Sequence, residues 1–171
     1  MKLSFNRATA LVVISSAFLL AVTSCKKSSN NGGGGTGTMT ATVGGTAWAN
    51  SFPVVGVYAS SGGSGLFELI GLQFKGGDST SFALDFAAPF TLNQAFSSDT
   101  AALIVAYTDS KTGNAYTALT GFGTGVLTVS SYDSTGHTIA GTFSGVLYNA
   151  TTGADSIVVT NGKFNSTFTV N

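Results

Sequence analysis

Along most of the chain, hydrophobic and polar residues alternate with a period of two, the pattern of strands that bury one face. In "TSFALDFA" the alternation puts Phe82, Leu84 and Phe86 on one side and Ser81, Ala83 and Asp85 on the other. The closing "KFNSTFTV" repeats it, with Phe164, Phe168 and Val170 inward and Lys163, Asn165, Thr167 and Thr169 outward. "HTIAGTFSGVLYN" sets Ile139, Phe143 and Leu147 inward, with Gly141 and Gly145 leaving space or marking bends. Shorter β-branched or aromatic runs ("FPVVGVYA", "GLFELIGLQF", "ALIVAYT", "GVLTVSSY", "SIVVTN") fill the rest, and none carries a helical stripe. Between them lie turn signals: "SSGGSG", "KGGDS", "DSKTGN", "DSTG" and "TTGAD". Short strands at this spacing without helices predict an all-β domain over residues 38–171, an antiparallel β-sandwich with a β-barrel as the alternative. A domain of this size has room for a core built on its many Phe residues without disulfides.

The pattern is different before residue 38. Lys2 and Arg7 precede an apolar run, "ALVVISSAFLLAV", of the length of a secretory signal and short for a membrane span. It ends at "VTSC", a branched apolar residue and two small residues before Cys25, the chain's one cysteine. That junction resembles the lipobox of bacterial lipoproteins. The resemblance implies a signal peptide over 1–24 and a diacylglyceryl group on the thiol of Cys25, which becomes the mature N-terminus. Two or more acyl chains, at about 0.8 kcal/mol per buried methylene, make a durable anchor where one would be marginal. A lone free thiol in an oxidising compartment would otherwise be a liability. Residues 25–37 ("CKKSSNNGGGGTG") read as a flexible tether, roughly 20 Å long on average and about 45 Å when extended. Lys26 and Lys27 are too few to bind anionic headgroups strongly.

Charge narrows the partners. The whole chain is neutral, but from residue 38 onward Lys75, Lys111 and Lys163 stand against seven carboxylates, a net −4. No basic stripe is present to neutralise phosphates, which excludes nucleic acid as an expected partner. The chemistry-bearing residues are few. His137, the one histidine, reads as a turn-edge residue. Asp109 and Asn114 in "DSKTGN" read as a turn before they read as a calcium loop, and neither a metal nor a cofactor is expected. Glu68 and Asp85 are the acids inside predicted strands, and Glu68 has apolar phase mates in Leu66, Ile70 and Leu72. An edge charge that blocks sheet pairing is one reading of Glu68. Half of an acid/base pair for glycan hydrolysis is the other. Trp48, Tyr107 and Tyr132, with Tyr58, Tyr116 and Tyr148, are the aromatics able to stack on sugars or partner surfaces. Trp48 also suits a hairpin position packed on the sheet.

The segments "MTATVGGTAWAN", "GFGTGVLTVSSYD", "IAGTFSGVLYN" and "SIVVTNGKF" together resemble an uncharacterised family of Bacteroidota lipoproteins of unknown function. The most specific parts are the G-T-F-S-G run and the terminal T-N-G-x-F. The resemblance implies an all-β lipoprotein domain and carries no active residues. Surface export in such organisms resembles a lysine followed by acids after the cysteine, and "KKSSNN" has no acids, so the membrane face stays open. "DST" at Asp78 and Asp133, "DTA" at Asp99 and "DSI" at Asp155 resemble the O-glycosylation sequon of the same bacteria. The expectation is a lipid-anchored envelope protein, at the outer membrane through Cys25, whose domain is a non-enzymatic binding or structural module for an envelope glycan or protein. An envelope glycan hydrolase using a carboxylate pair is the alternative.

Overall fold

The computed structural model describes residues 37–61, 64–100 and 102–171. The expectations for the signal segment, for Cys25 and for the tether up to residue 36 lie outside the described residues; Gly37, expected as the last tether residue, is instead buried, its carbonyl accepting from the Val54 amide (3.1 Å) and Asn50 Nδ2 (3.0 Å). Within them the chain forms eleven strands and no helix: β1 (Thr38–Val43), β2 (Thr46–Ala49), β3 (Val55–Ser61), β4 (Ser64–Lys75), β5 (Asp78–Ala88), β6 (Ala95–Ser97), β7 (Leu103–Asp109), β8 (Asn114–Ala118), β9 (Thr124–Asp133), β10 (Thr138–Asn149) and β11 (Ser156–Val170). The fold is all-β, as the alternation predicts.

Hydrogen-bonded neighbours follow the order β2-β1-β11-β3-β4-β5-β7-β8-β10-β9-β6, and β10 also pairs with β11. Two layers result, β3-β4-β5-β7-β8 in front and β2-β1-β11-β10-β9-β6 behind. Their margins are joined narrowly, by three register pairs between β11 and β3 and two between β10 and β8. Rings meet across the middle: Phe82 of β5 lies 4.8 Å from Trp48 of β2 and 5.2 Å from Phe143 of β10, both edge to face. The result is sandwich-like, with a filled interior.

One pairing departs from the antiparallel expectation. Phe168–Val170 of β11 run parallel to Gly56–Tyr58 of β3. Parallel neighbours need a long connection, and here nearly the whole domain separates them. Val170, expected inward, is exposed instead, because it sits at the end of this seam opposite Tyr58. Ser166 takes an inward position and is buried, its hydroxyl donating to the carbonyls of Val54 (3.2 Å) and Thr167 (2.7 Å). The other inward sets hold: Phe82, Leu84 and Phe86 are fully buried, as are, within a few per cent, Ile139, Phe143, Leu147, Phe164 and Phe168.

The two most specific sequence runs meet on adjacent strands. Phe143 of β10 is paired with Gly162 of β11, and Gly141 of β10 with Phe164 of β11. Each ring covers the glycine opposite: a Cβ on Gly162 would come within 2.7 Å of the Phe143 ring, and one on Gly141 within 2.6 Å of the Phe164 ring. The register shifts between Phe143 and Gly145, beside Asn161 at φ 54°. Both runs therefore serve packing and a bulge. The "KGGDS" turn closes β4 onto β5 with positive φ at Gly76 (62°) and Gly77 (92°), the primed hairpin geometry that glycine permits.

Candidate functional site

Of the three aromatics singled out for recognition, two are core residues. Trp48 is buried on β2, its Nε1 donating to Thr80 Oγ1 of β5 at 2.7 Å, with its ring over the space left by Gly71. Tyr107 is buried on β7, 5.1 Å from the Phe82 ring, and burial pushes its phenol above the ordinary range. Both are large amphipathic side chains on inward strand positions, and Trp48 reaches the surface only at its edge, where it lines a groove with Gln73 and Lys163. Tyr132, near the end of β9, stays half-buried.

Tyr132 borders a cavity of about 250 Å³ at one end of the sandwich, with Tyr58, Phe67, Ala88, Pro89 and Phe90. β3 supplies Tyr58, β4 Phe67, and the segment after β5 supplies Pro89 and Phe90. The rings hold one another in place. Tyr58 stacks on Phe67 at 4.5 Å, and Tyr132 stands edge-on to Phe67 (5.8 Å) and to Phe90 (5.6 Å). Tyr132 is itself backed by Phe168 at 5.8 Å. No carboxylate or lysine lines the space, and two of its walls are tyrosines. Such a site suits a flat or ring-shaped group with one apolar face. The strand alternation shows which way Phe67 points, but it does not bring Tyr58, Phe90 and Tyr132 to one end. At that end Phe168 of the parallel seam packs against both Phe67 and Tyr132.

The carboxylates Glu68 and Asp85 are direct cross-strand partners on the outer face of the front layer. Directly opposed side chains on antiparallel strands have Cβ atoms about 5 Å apart, so the structure does bring the two acids together. Burial, followed by the charge of Glu68, raises the Asp85 carboxyl from 3.8 to about 7. Burial also raises Glu68. Asp85 Oδ1 is buried and has no hydrogen-bond partner. A carboxylate pair of this kind is the apparatus that glycoside hydrolysis uses. The pair nevertheless sits on a sheet face and lines neither the aromatic cavity nor the grooves beside Phe96 and Trp48. Glu68 is not an edge-strand charge, since β4 is flanked by β3 and β5.

The remaining candidates are turn residues. His137 is exposed, at φ 50°, with its ring 5.3 Å from Phe168. Asp133 Oδ1 accepts from the amides of Thr135 (2.8 Å) and Gly136 (2.9 Å), which holds its carboxyl below the usual range. Asp109 Oδ1 accepts from the Lys111 amide at 2.9 Å, and Asn114 begins β8 just beyond, so "DSKTGN" forms a hairpin turn. Among the described residues, no group of three or more His, Cys, Asp or Glu side chains is placed to hold a metal ion, and no helix is long and apolar enough to cross a membrane. No protein-family model, curated protein or solved structure matches the chain.

Proposed function

We propose that this protein is a cell-envelope lipoprotein, anchored to the outer membrane through lipid on Cys25, whose domain is a non-enzymatic binding module. The observation that carries the binding reading is the uncharged aromatic cavity between Tyr58, Phe90 and Tyr132. Its volume, about 250 Å³, is below the range typical of drug-sized ligands. It fits one ring or one short apolar group of a larger envelope molecule, such as a sugar unit stacked on a phenol. The lipid anchor is supported by the "VTSC" junction and the basic n-region.

The test is a titration of the full-length protein with envelope glycan fragments, followed by ligand-observed NMR. Saturable binding weakened about tenfold by Tyr132→Ala, with the glycan recovered intact, supports the reading. Binding that ignores Tyr132→Ala removes the cavity from the function. Cys25→Ser with metabolic fatty-acid labelling tests the anchor separately, label on the parent chain and none on the variant being the expected result.

The glycan hydrolase is kept as a second reading because Glu68 and Asp85 are paired and Asp85 is raised to about 7, a value suited to a general acid. It requires cleavage of the titrated glycan that Asp85→Asn abolishes.

A further inference from the structure

Much of the outer face of β3, β4, β5 and β7 is apolar where a solvated sheet face would be polar, up to a row formed by Leu72, Ser81 and Thr108. One cross-strand row is Val55, Ile70, Ala83 and Ala106, and a second is Ala59, Leu66 and Ala87. Between them runs Val57, Glu68, Asp85 and Ile104. Val55 (59%), Leu66 (48%) and Phe74 (54%) are substantially exposed, and Phe52 (56%) packs edge-on to Phe74 and extends the patch past the end of β4. Half of the exposed large hydrophobic residues of the domain thus lie on or beside one face.

Among the described residues, no cation adjoins the acid pair at the centre. Like charges directly opposite on a sheet are destabilising, and a buried carboxylate oxygen without a partner adds to the cost. None of the domain's lysines adjoins it. Lys111 pairs with Asp78 at 3.7 Å, Lys75 lies about 23 Å further along β4, and Lys163 is on β11 in the back layer. The chemistry that completes this face is a positive charge set among apolar side chains.

We propose that this face is a docking surface for another protein's segment that carries an arginine or lysine flanked by apolar residues, with the cation seated on Glu68 and Asp85. The inference goes beyond the aromatic cavity, which lies at an end of the sandwich. Charge complementarity selects this occupant over two others. A second copy seated face to face about the pair would bring four carboxylates together, in a domain whose net charge is already −4. An anionic bilayer would be repelled by the same pair. A guanidinium fits best, since its planar fork can donate to both carboxyls at once.

The probe is a short fluorescent peptide alternating valine and threonine around one central arginine. Its control replaces that arginine with citrulline, equal in shape and uncharged. Fluorescence anisotropy with the full-length protein at pH 8 is expected to show the arginine peptide binding about tenfold more tightly than the control. The double variant Glu68→Gln, Asp85→Asn is expected to erase that difference, and Leu66→Ser to weaken both peptides. Urea unfolding of each variant establishes that it folds. Equal affinities, or no saturation by about 1 mM arginine peptide, would overturn the proposal. So would dimerisation in sedimentation, or adsorption to phosphatidylethanolamine and phosphatidylglycerol vesicles, that Leu66→Ser abolishes.

Discussion

Asp85 is the residue whose environment departs furthest from what its chemistry prefers. In the fold it titrates near 7 because burial disfavours the carboxylate and Glu68 faces it, whereas its ordinary value is 3.8. Between those values the native chain holds a proton that the unfolded chain has released, so stability falls as pH rises from about 4 to about 7 and is level above. The full effect is on the order of 4 kcal/mol, less whatever relaxation of the sheet recovers. Asp85→Asn mimics the protonated form. We expect it to stabilise the protein by a few kcal/mol at pH 8 and by nearly nothing at pH 4, as read from urea midpoints at the two pH values. A gain of equal size at both would show that Asp85 titrates normally. The pairing itself was legible. A two-residue turn at Gly76 and Gly77 sets Lys75 opposite Asp78, and counting seven residues back along each strand lands on Glu68 and Asp85. Hidden from the sequence was the setting of the pair, because Val57 of β3 and Ile104 of β7 flank it in register and no local pattern specifies the place of those strands beside this hairpin.

At the scale of elements, the β10–β11 pair explains why the two most specific sequence runs contain both glycine and phenylalanine. Gly162 makes room for Phe143, and Gly141 for Phe164, so each strand contributes one ring and one gap. A methyl on Gly162 would meet not only the Phe143 ring but also the Phe143 carbonyl oxygen, which the sheet pairing holds fixed. Overpacking of this kind costs about 1–3 kcal/mol. Gly162→Ala is expected at the upper end of that range in urea unfolding. Adding Phe143→Leu should not restore stability, since it relieves the ring contact and leaves the carbonyl contact in place. Restoration by the double variant would mean that the ring alone sets the cost. Inward and outward faces of both strands could be read from the alternation, and Gly141 and Gly145 could be read as space or bends. That each glycine is filled by a ring from the neighbouring strand could not, because alternation within a strand says nothing about its partner's register.

For the molecule as a whole, the fold class followed from the strand pattern, while the closure of the layers did not. Antiparallel hairpins are written locally in turns such as "KGGDS", but the β11–β3 seam joins residues more than a hundred positions apart and is parallel. That seam also organises the end of the sandwich where the aromatic cavity lies. Phe168 sits 5.2 Å from Phe67 and 6.3 Å from Tyr58, and its amide donates to the His137 carbonyl at 2.9 Å. The Asn171 amide donates to the Tyr58 carbonyl at 3.0 Å. Deleting Phe168–Asn171 removes the seam's three register pairs and one buried ring together. Loss of a buried Phe side chain alone costs about 3–5 kcal/mol, a large share of the 5–15 kcal/mol that holds a typical domain. The truncated chain is therefore expected to lack a cooperative thermal transition above about 37 °C. Phe168→Ala, which keeps the backbone pairing, should lower the midpoint and retain the transition. Deletion of the exposed Asn171 alone should cost little, since it forfeits one hydrogen bond worth about 1 kcal/mol. Calorimetry on the three variants separates the contributions. A truncated chain that melts like the parent would show that the layers are held by the core rings without the seam, and that the cavity at that end does not depend on it.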